Sequence, residues 1–324
     1  MKWDRNAFPE LFVTVFRYIV LTLMALFVSY LALLSLFGTN FCVAGKNYFL
    51  SDSPYKTIAV YVALIVLGCV LKRRKLPSLQ SRSALMVRPI LLVALFIVLV
   101  IFVNGLKLLP YGDQLAISNA AREFRYYDFS QFMMGNYLSY FPFQSRVVVF
   151  LMGLWSLTGD SNHTIFALLN VLSVIAVIVL TAKTFEKTGL IKELSHKTMI
   201  TAALILFWPL LFYVTFVYGN LIGLAAMMAA FWFLVSFLEA HSVRHLIGMA
   251  VFCGIGIWLK NSYMILMVAM LVILCVDWIH SRKAIKLGAM LAILVCTYGV
   301  SALSDVWLSR YMGMPLPEGS PMIS

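Results

Sequence analysis

Residues 11–37 read LFVTVFRYIVLTLMALFVSYLALLSLF, and Arg17 is the one charged side chain in the run. As a helix rising about 1.5 Å per residue, this stretch reaches about 40 Å. The hydrocarbon core of a bilayer is about 30 Å thick, so the helix is long enough to cross it with tilt. It is far longer than the apolar core of a cleavable signal, about 7–15 residues. The run therefore reads as a retained first membrane span.

The rest of the chain repeats that pattern. Of its 324 residues, 62% are hydrophobic and 12% charged, with mean hydropathy +0.94. Soluble domains are about 45–50% apolar and about 25% charged, so the bilayer is the solvent here. Further apolar stretches lie at 57–71, 89–109, 164–182, 198–217, 221–240, 245–259, 262–279 and 285–304. The expected fold is all-α, a polytopic transmembrane bundle of about nine spans, with interfacial helices within 110–158. One apolar piece, 147–157, is too short to cross, since a span takes about 17–25 residues. It reads as a re-entrant or interfacial helix, which implies a cavity, because irregular backbone at membrane depth must be covered by protein or water.

Net charge is +12. The basic residues cluster in short loops between apolar runs, which speaks for cytoplasmic anchoring and against nucleic acid. With the N-terminus inside, 17 of the 25 Lys and Arg fall on the inner side and 8 on the outer. That asymmetry sets the expected topology. Cys42, Cys69, Cys253, Cys275 and Cys296 show no metal-ligand or paired spacing and read as small hydrophobes. The expected organisation is a two-span extension over 1–87, a core over 88–304 and an outer tail over 305–324. The 38–56 segment reads as an ordinary polar loop.

The outer loop from Pro110 to Arg146 carries the candidate chemistry. Asp113 follows a span directly and stands beside Gly112. A carboxylate there can serve as general base to an acceptor hydroxyl, or simply cap the following helix. A helix over 115–125 is expected to place Leu115, Ala116, Ala120 and Phe124 on one face. The aromatic run Tyr126, Tyr127, Phe129, Phe132, Tyr137, Tyr140, Phe141 and Phe143 suits a membrane interface and also a sugar platform. Asp128 is a second carboxylate, of use for acid–base work or for a divalent cation. Gln144, Arg146, Tyr218, Asn220, Lys260 and Asn261 fall at the outer ends of spans. Arg146 and Lys260 can hold a phosphate or snorkel to headgroups.

Taken in order, Gly112-Asp113-Gln114, Gly135-Asn136-Tyr137-Leu138, Tyr140-Phe141-Pro142-Phe143-Gln144, Leu154-Trp155-Ser156-Leu157-Thr158-Gly159-Asp160, Tyr218-Gly219-Asn220 and Leu259-Lys260-Asn261 resemble the membrane-embedded GT-C glycosyltransferases. The nearest likeness is to bacterial members similar to the dolichyl-phosphate-mannose–protein mannosyltransferase family. The resemblance covers roughly residues 88–290. It implies a polyprenyl-phosphate sugar donor, a glycan or protein acceptor on the outer face, and inversion at the sugar carbon with Asp113 as base. Gln144, Arg146, Tyr218, Asn220, Lys260, Asn261, Tyr140 and Asp128 are its candidate donor- and substrate-binding residues. It implies a bacterial plasma-membrane protein of the cell envelope with its site facing outward, and leaves a divalent cation open as cofactor. The chain departs from the family in three ways: Gln114 stands where many members carry a second acid, two spans precede the loop-bearing helix, and the chain stops in an outer segment. The last suggests a truncated product. The competing expectations are a transporter or flippase of lipid-linked glycan, and an inactive fragment. A coupled transporter needs ionisable groups at mid-depth. The few candidates there, Asn104, Asn170 and Ser173, are weakly polar.

Overall fold

The computed structural model describes residues 7–43, 46–51, a scatter of positions between 53 and 69, 82–191 and 194–317. The protein is a polytopic bundle of α-helices. It divides into two compact units, one of residues 1–79 with 279–282, the other of 80–278 with 283–324.

In the first unit, α1 (Ala7–Phe37) is followed by a hairpin, β1 (Gly38–Val43) and β2 (Lys46–Ser51). The strands pair antiparallel, with Thr39 opposite Leu50 and Phe41 opposite Tyr48. The expected irregular loop is therefore partly a hairpin, which Thr, Phe, Val and Tyr favour. No residue from Val13 to Leu31 of α1 is buried in the protein. A largely exposed apolar surface suits lipid contact. The expected span at 57–71 lies largely outside the described residues.

The second unit holds α2 (Arg82–Leu106), α3 (Asp113–Arg125), α4 (Tyr137–Tyr140), α5 (Ser145–Thr158), α6 (His163–Lys187), α7 (Leu194–Ile205), α8 (Trp208–Phe212), α9 (Asn220–Ala240), α10 (Val243–Leu259), α11 (Met264–Ser281) and α12 (Ala284–Met312). Leu95, Leu99 and Val103 recur every fourth residue on α2, forming one stripe. That stripe packs with Val171, Val174 and Ile178 of α6. Helices α9 and α10 form a tight antiparallel pair around Met227, Leu234, Met249 and Cys253. Their approach depends on glycine. A Cβ on Gly256 would meet Met227 Sδ at 2.7 Å, and one on Gly223 would meet the Gly256 carbonyl at 3.1 Å. Small residues of this kind let membrane helices come close.

Among the described residues, six helices are long and apolar enough to cross a membrane. The expected single span at 198–217 is broken: α7 and α8 meet at a 52° bend, where Pro209 stands in the first turn of α8 and removes a backbone donor. Helix α10 has 17 residues, about 25 Å at 1.5 Å per residue. The count of nine is thus an expectation for which the described helices supply six long members, one broken and one short. The 147–157 piece is helix α5 with 14 residues. Its Val148, Leu151 and Trp155 are fully buried, against Ile117, Ala120, Ala121 and Phe124 of α3. The buried face of α3 differs from the expected one by about a third of a turn, and Leu115 is left exposed.

Because the helices alternate in direction, the second unit has two polar ends. One gathers the starts of α3 and α9, the ends of α10 and α12, and the short helices. The other gathers Arg88, Glu186, Lys187, Lys197 and Glu239.

Candidate functional site

After α2 the chain turns through Lys107–Gly112 into α3. Gly112 sits at φ +59°, a left-handed conformation that costs an L side chain strain but not glycine. It occupies the cap position and offers no side chain, so Asp113 is the first helical residue and does not cap α3 by its side chain. Its carboxylate stands at the positive end of the helix dipole, where a negative charge is favoured. The capping role open to Asp113 in the sequence is thus not the one it fills.

The structure brings four parts of the chain to this carboxylate. The Tyr137 hydroxyl, at the start of α4, is near enough for the Asp113 charge to act on it. Tyr137 also shares a hydrogen bond of 3.2 Å with the Tyr218 hydroxyl. Buried Gln144 lies close enough to Tyr218 to ease its ionisation slightly. The Lys260 ammonium lies 4.2 Å from the centre of the Tyr218 ring, a cation–π distance. Asp113 is near enough for its charge to act on both Tyr218 and Lys260.

Burial is the largest cause of every shift in this group. It raises Tyr137 well above the usual phenol range, and the bond to Tyr218 and the Asp113 charge raise it further. Burial raises Tyr218 as well. It lowers Lys260, and the Asp113 charge pulls the other way. Loss of water disfavours the charged form of each group. Both phenols thus stay protonated and can donate. The result is a carboxylate, two hydroxyls and an ammonium in one file at the end of the bundle.

Glycine sets the spacing of that file. A Cβ on Gly219 would meet the Leu259 carbonyl oxygen at 2.0 Å and its carbon at 2.8 Å. The turn that carries Tyr218 therefore lies main chain to main chain against the residue before Lys260. Beside Lys260 opens a cavity of about 300 Å³, with Asn220 and Ser262 on its polar side and Phe207, Leu210 and Leu224 on its apolar side. The Asn220 carbonyl accepts the Tyr263 hydroxyl at 2.6 Å, while its buried Oδ1 has no partner among the described residues.

The other expected site residues are placed as follows. Arg146 is held by Asp305 of α12 through Nη2 at 2.9 Å and Nε at 3.3 Å. Asp128 accepts the Ser130 amide at 3.0 Å, which holds its carboxyl below the usual range. Asn261 opens the short turn Asn261–Tyr263 and is exposed. Tyr140 closes α4 and is 44% exposed. Among the described residues no group of three or more His, Cys, Asp or Glu is placed to hold a metal ion. Three residues of this end lie outside the candidate site residues expected from the sequence: Tyr137, Gln114 and Asp305. Tyr137 was one aromatic among eight, and only its partner Tyr218 distinguishes it.

Residues 146–301 match the sequence model of the dolichyl-phosphate-mannose-protein mannosyltransferase family. That segment holds the later motifs of the resemblance, Leu154–Asp160, Tyr218–Asn220 and Leu259–Asn261, and the match agrees with the family they resemble. The match takes in Tyr218, Lys260 and α5 through most of α12, and begins after Asp113 and Tyr137. No curated protein and no solved structure matches the chain.

Proposed function

We propose, with the family match over 146–301 as premise, that this protein is an integral membrane glycosyltransferase using a polyprenyl-phosphate-linked sugar. Asp113 is the general base. It takes the proton from an acceptor hydroxyl as that oxygen bonds to the anomeric carbon from the face opposite the donor phosphate. The bond from that carbon to the phosphate oxygen breaks, and polyprenyl phosphate leaves with the electron pair. Configuration at the sugar carbon inverts.

The observation that carries this reading is the arrangement Asp113–Tyr137–Tyr218–Lys260 beside an amphipathic cavity. A base needs hydrogen-bonding neighbours that fix its orientation without taking its charge, and Tyr137 fits that need. A departing phosphate needs a cation, and Lys260 stands where the cavity meets the cluster. The apolar wall formed by Phe207, Leu210 and Leu224 suits the first isoprene units of a lipid carrier. The Lys and Arg asymmetry supports an outer-face position for this end, and the family resemblance supports a bacterial plasma membrane. The acceptor is a glycan or protein of the cell envelope.

The test is a transfer assay. Purified protein in lipid is given radiolabelled polyprenyl-phosphate sugars and envelope acceptor extracts, alongside D113N. Label transfer by the native chain that D113N abolishes supports the proposal. Transfer undiminished in D113N removes Asp113 from its role, and no transfer from any donor by well-folded protein sinks the enzyme reading.

A further inference from the structure

Three polar residues sit within the apolar helices α2 and α6, and they spend their hydrogen bonds differently. Asn104 donates to the Val100 carbonyl at 2.8 Å and Ser173 to the Leu169 carbonyl at 2.8 Å, each four residues back on its own helix. Such bonds merely satisfy a polar group in lipid. Asn170, fully buried on α6, reaches across the fold. Its amide donates to the Val214 carbonyl at 3.1 Å and the Phe216 carbonyl at 3.0 Å. From the opposite side, Gln114 Oε1 accepts the Val217 amide at 2.8 Å. Three main-chain groups within four residues are thus tied by side chains, and the next residue is Tyr218. Buried main-chain groups must be paired, and the short 3₁₀ turn Tyr213–Thr215 runs directly into this stretch.

We infer that Asn170 and Gln114 are positioning residues that clamp the 214–217 turn and thereby hold the Tyr218 hydroxyl against Tyr137 and Asp113. Gln114 is the chain neighbour of Asp113, so the start of one helix carries both the carboxylate and the lock on its hydroxyl partner. The role asks position 114 for an acceptor oxygen at Val217, not for a second acid. Asn170 contributes from a helix that touches no substrate. The catalytic part of this inference rests on the transferase reading above, whereas the clamp itself is a property of the fold.

Two readouts separate the two. The first is fluorine NMR of full-length protein in lipid carrying 3-fluorotyrosine at position 218, titrated with alkali. Burial, above all, and the Asp113 charge lift this phenol in the native chain, while the Tyr137 bond works against them. Q114L and N170A are expected to move the titration down toward free fluorotyrosine and to broaden the signal. Q114E keeps an acceptor for the Val217 amide, and with its added negative charge beside this phenol is expected to titrate at or above the native protein, not below it. The second readout is transfer kinetics. A misplacement of about 1 Å can cost about 10²-fold in rate, so Q114L and N170A should lose kcat on that scale while donor KM stays within about twofold. If N170A does not fold, the Q114L and Q114E pair decides. An unmoved titration in Q114L overturns the clamp whatever the activity. A moved titration in a chain with no transfer keeps the clamp and removes the transferase reading.

Discussion

The two polar ends of the 80–317 region handle charge in opposite ways. At one end acids meet bases directly. Glu186 binds Arg88 at 2.6 Å and Lys197 at 3.6 Å, Glu239 binds Lys187 at 3.2 Å, and Asp277 pairs with buried Lys286. At the other end, among the described residues, neither Asp113 nor Lys260 enters a salt bridge. Their charges act on each other across two phenols and an aromatic face. Ion pairing satisfies a charge and fixes it, which serves anchoring. A carboxylate left out of an ion pair stays open to a substrate hydroxyl, and an ammonium held by a ring keeps donors free for an anion. Arg146–Asp305 shows that the second end also builds ordinary pairs where it fastens helices, so the open pair around Asp113 is local.

Substitutions at the two ends break or sharpen this contrast. The largest effect is expected from D113N, a loss of about 10³-fold in transfer, since general-base catalysis contributes about 10²–10⁴-fold. Its melting temperature should stay near native. Equal losses of activity and folding would make Asp113 structural. G219A comes next. Its methyl would meet the Leu259 main chain, and overpacking of this kind costs about 3 kcal/mol, to be read as lowered thermal stability. K260M should weaken donor affinity about tenfold, because a hydrogen bond to a charged group is worth about 1.5–3 kcal/mol. Unchanged donor KM would place the phosphate elsewhere.

Alkali should bear on the same cluster. Tyr137 ordinarily titrates at 10.0 and is raised in the folded chain. The folded protein then holds that proton longer than the unfolded one, so its contribution is full below about pH 10 and is lost as pH rises further. Thermal melts above pH 10 should fall less steeply in Y137F than in the native chain. The smallest effect belongs to the opposite end. Both Arg88 and Glu186 are partly exposed, so E186Q should cost about 1 kcal/mol or less and leave transfer unchanged. A transfer defect there would end the division between an anchoring end and a reacting end.

Much of the architecture is legible in the sequence, because apolar length is a one-dimensional property. The stretches at 164–182, 221–240 and 285–304 reappear inside α6, α9 and α12. The shortness of 147–157 marks α5 in the same way. The break within 198–217 is not legible. Hydropathy is continuous across it, and Pro209 alone hints at the bend between α7 and α8. The site is half legible. Asp113, Gln144, Tyr218 and Lys260 stand out because polar residues at span ends are few. Tyr137 does not, since its meaning lies in a hydroxyl 81 positions away. Asp305 is likewise an ordinary tail residue until it meets Arg146, 159 positions back. Side-chain pairing over such separations leaves no periodic trace along a chain.

The contact beneath Gly219 also bears on how this protein can change over generations. Where the Tyr218 turn rests on Leu259, main chain faces main chain with no room for a methyl group. That floor cannot be reshaped one substitution at a time, because it has no side chain to exchange. Change at this end can come only through the side chains around that contact, such as Phe207, Leu210 and Leu224 of the neighbouring cavity, while residue 219 stays bare.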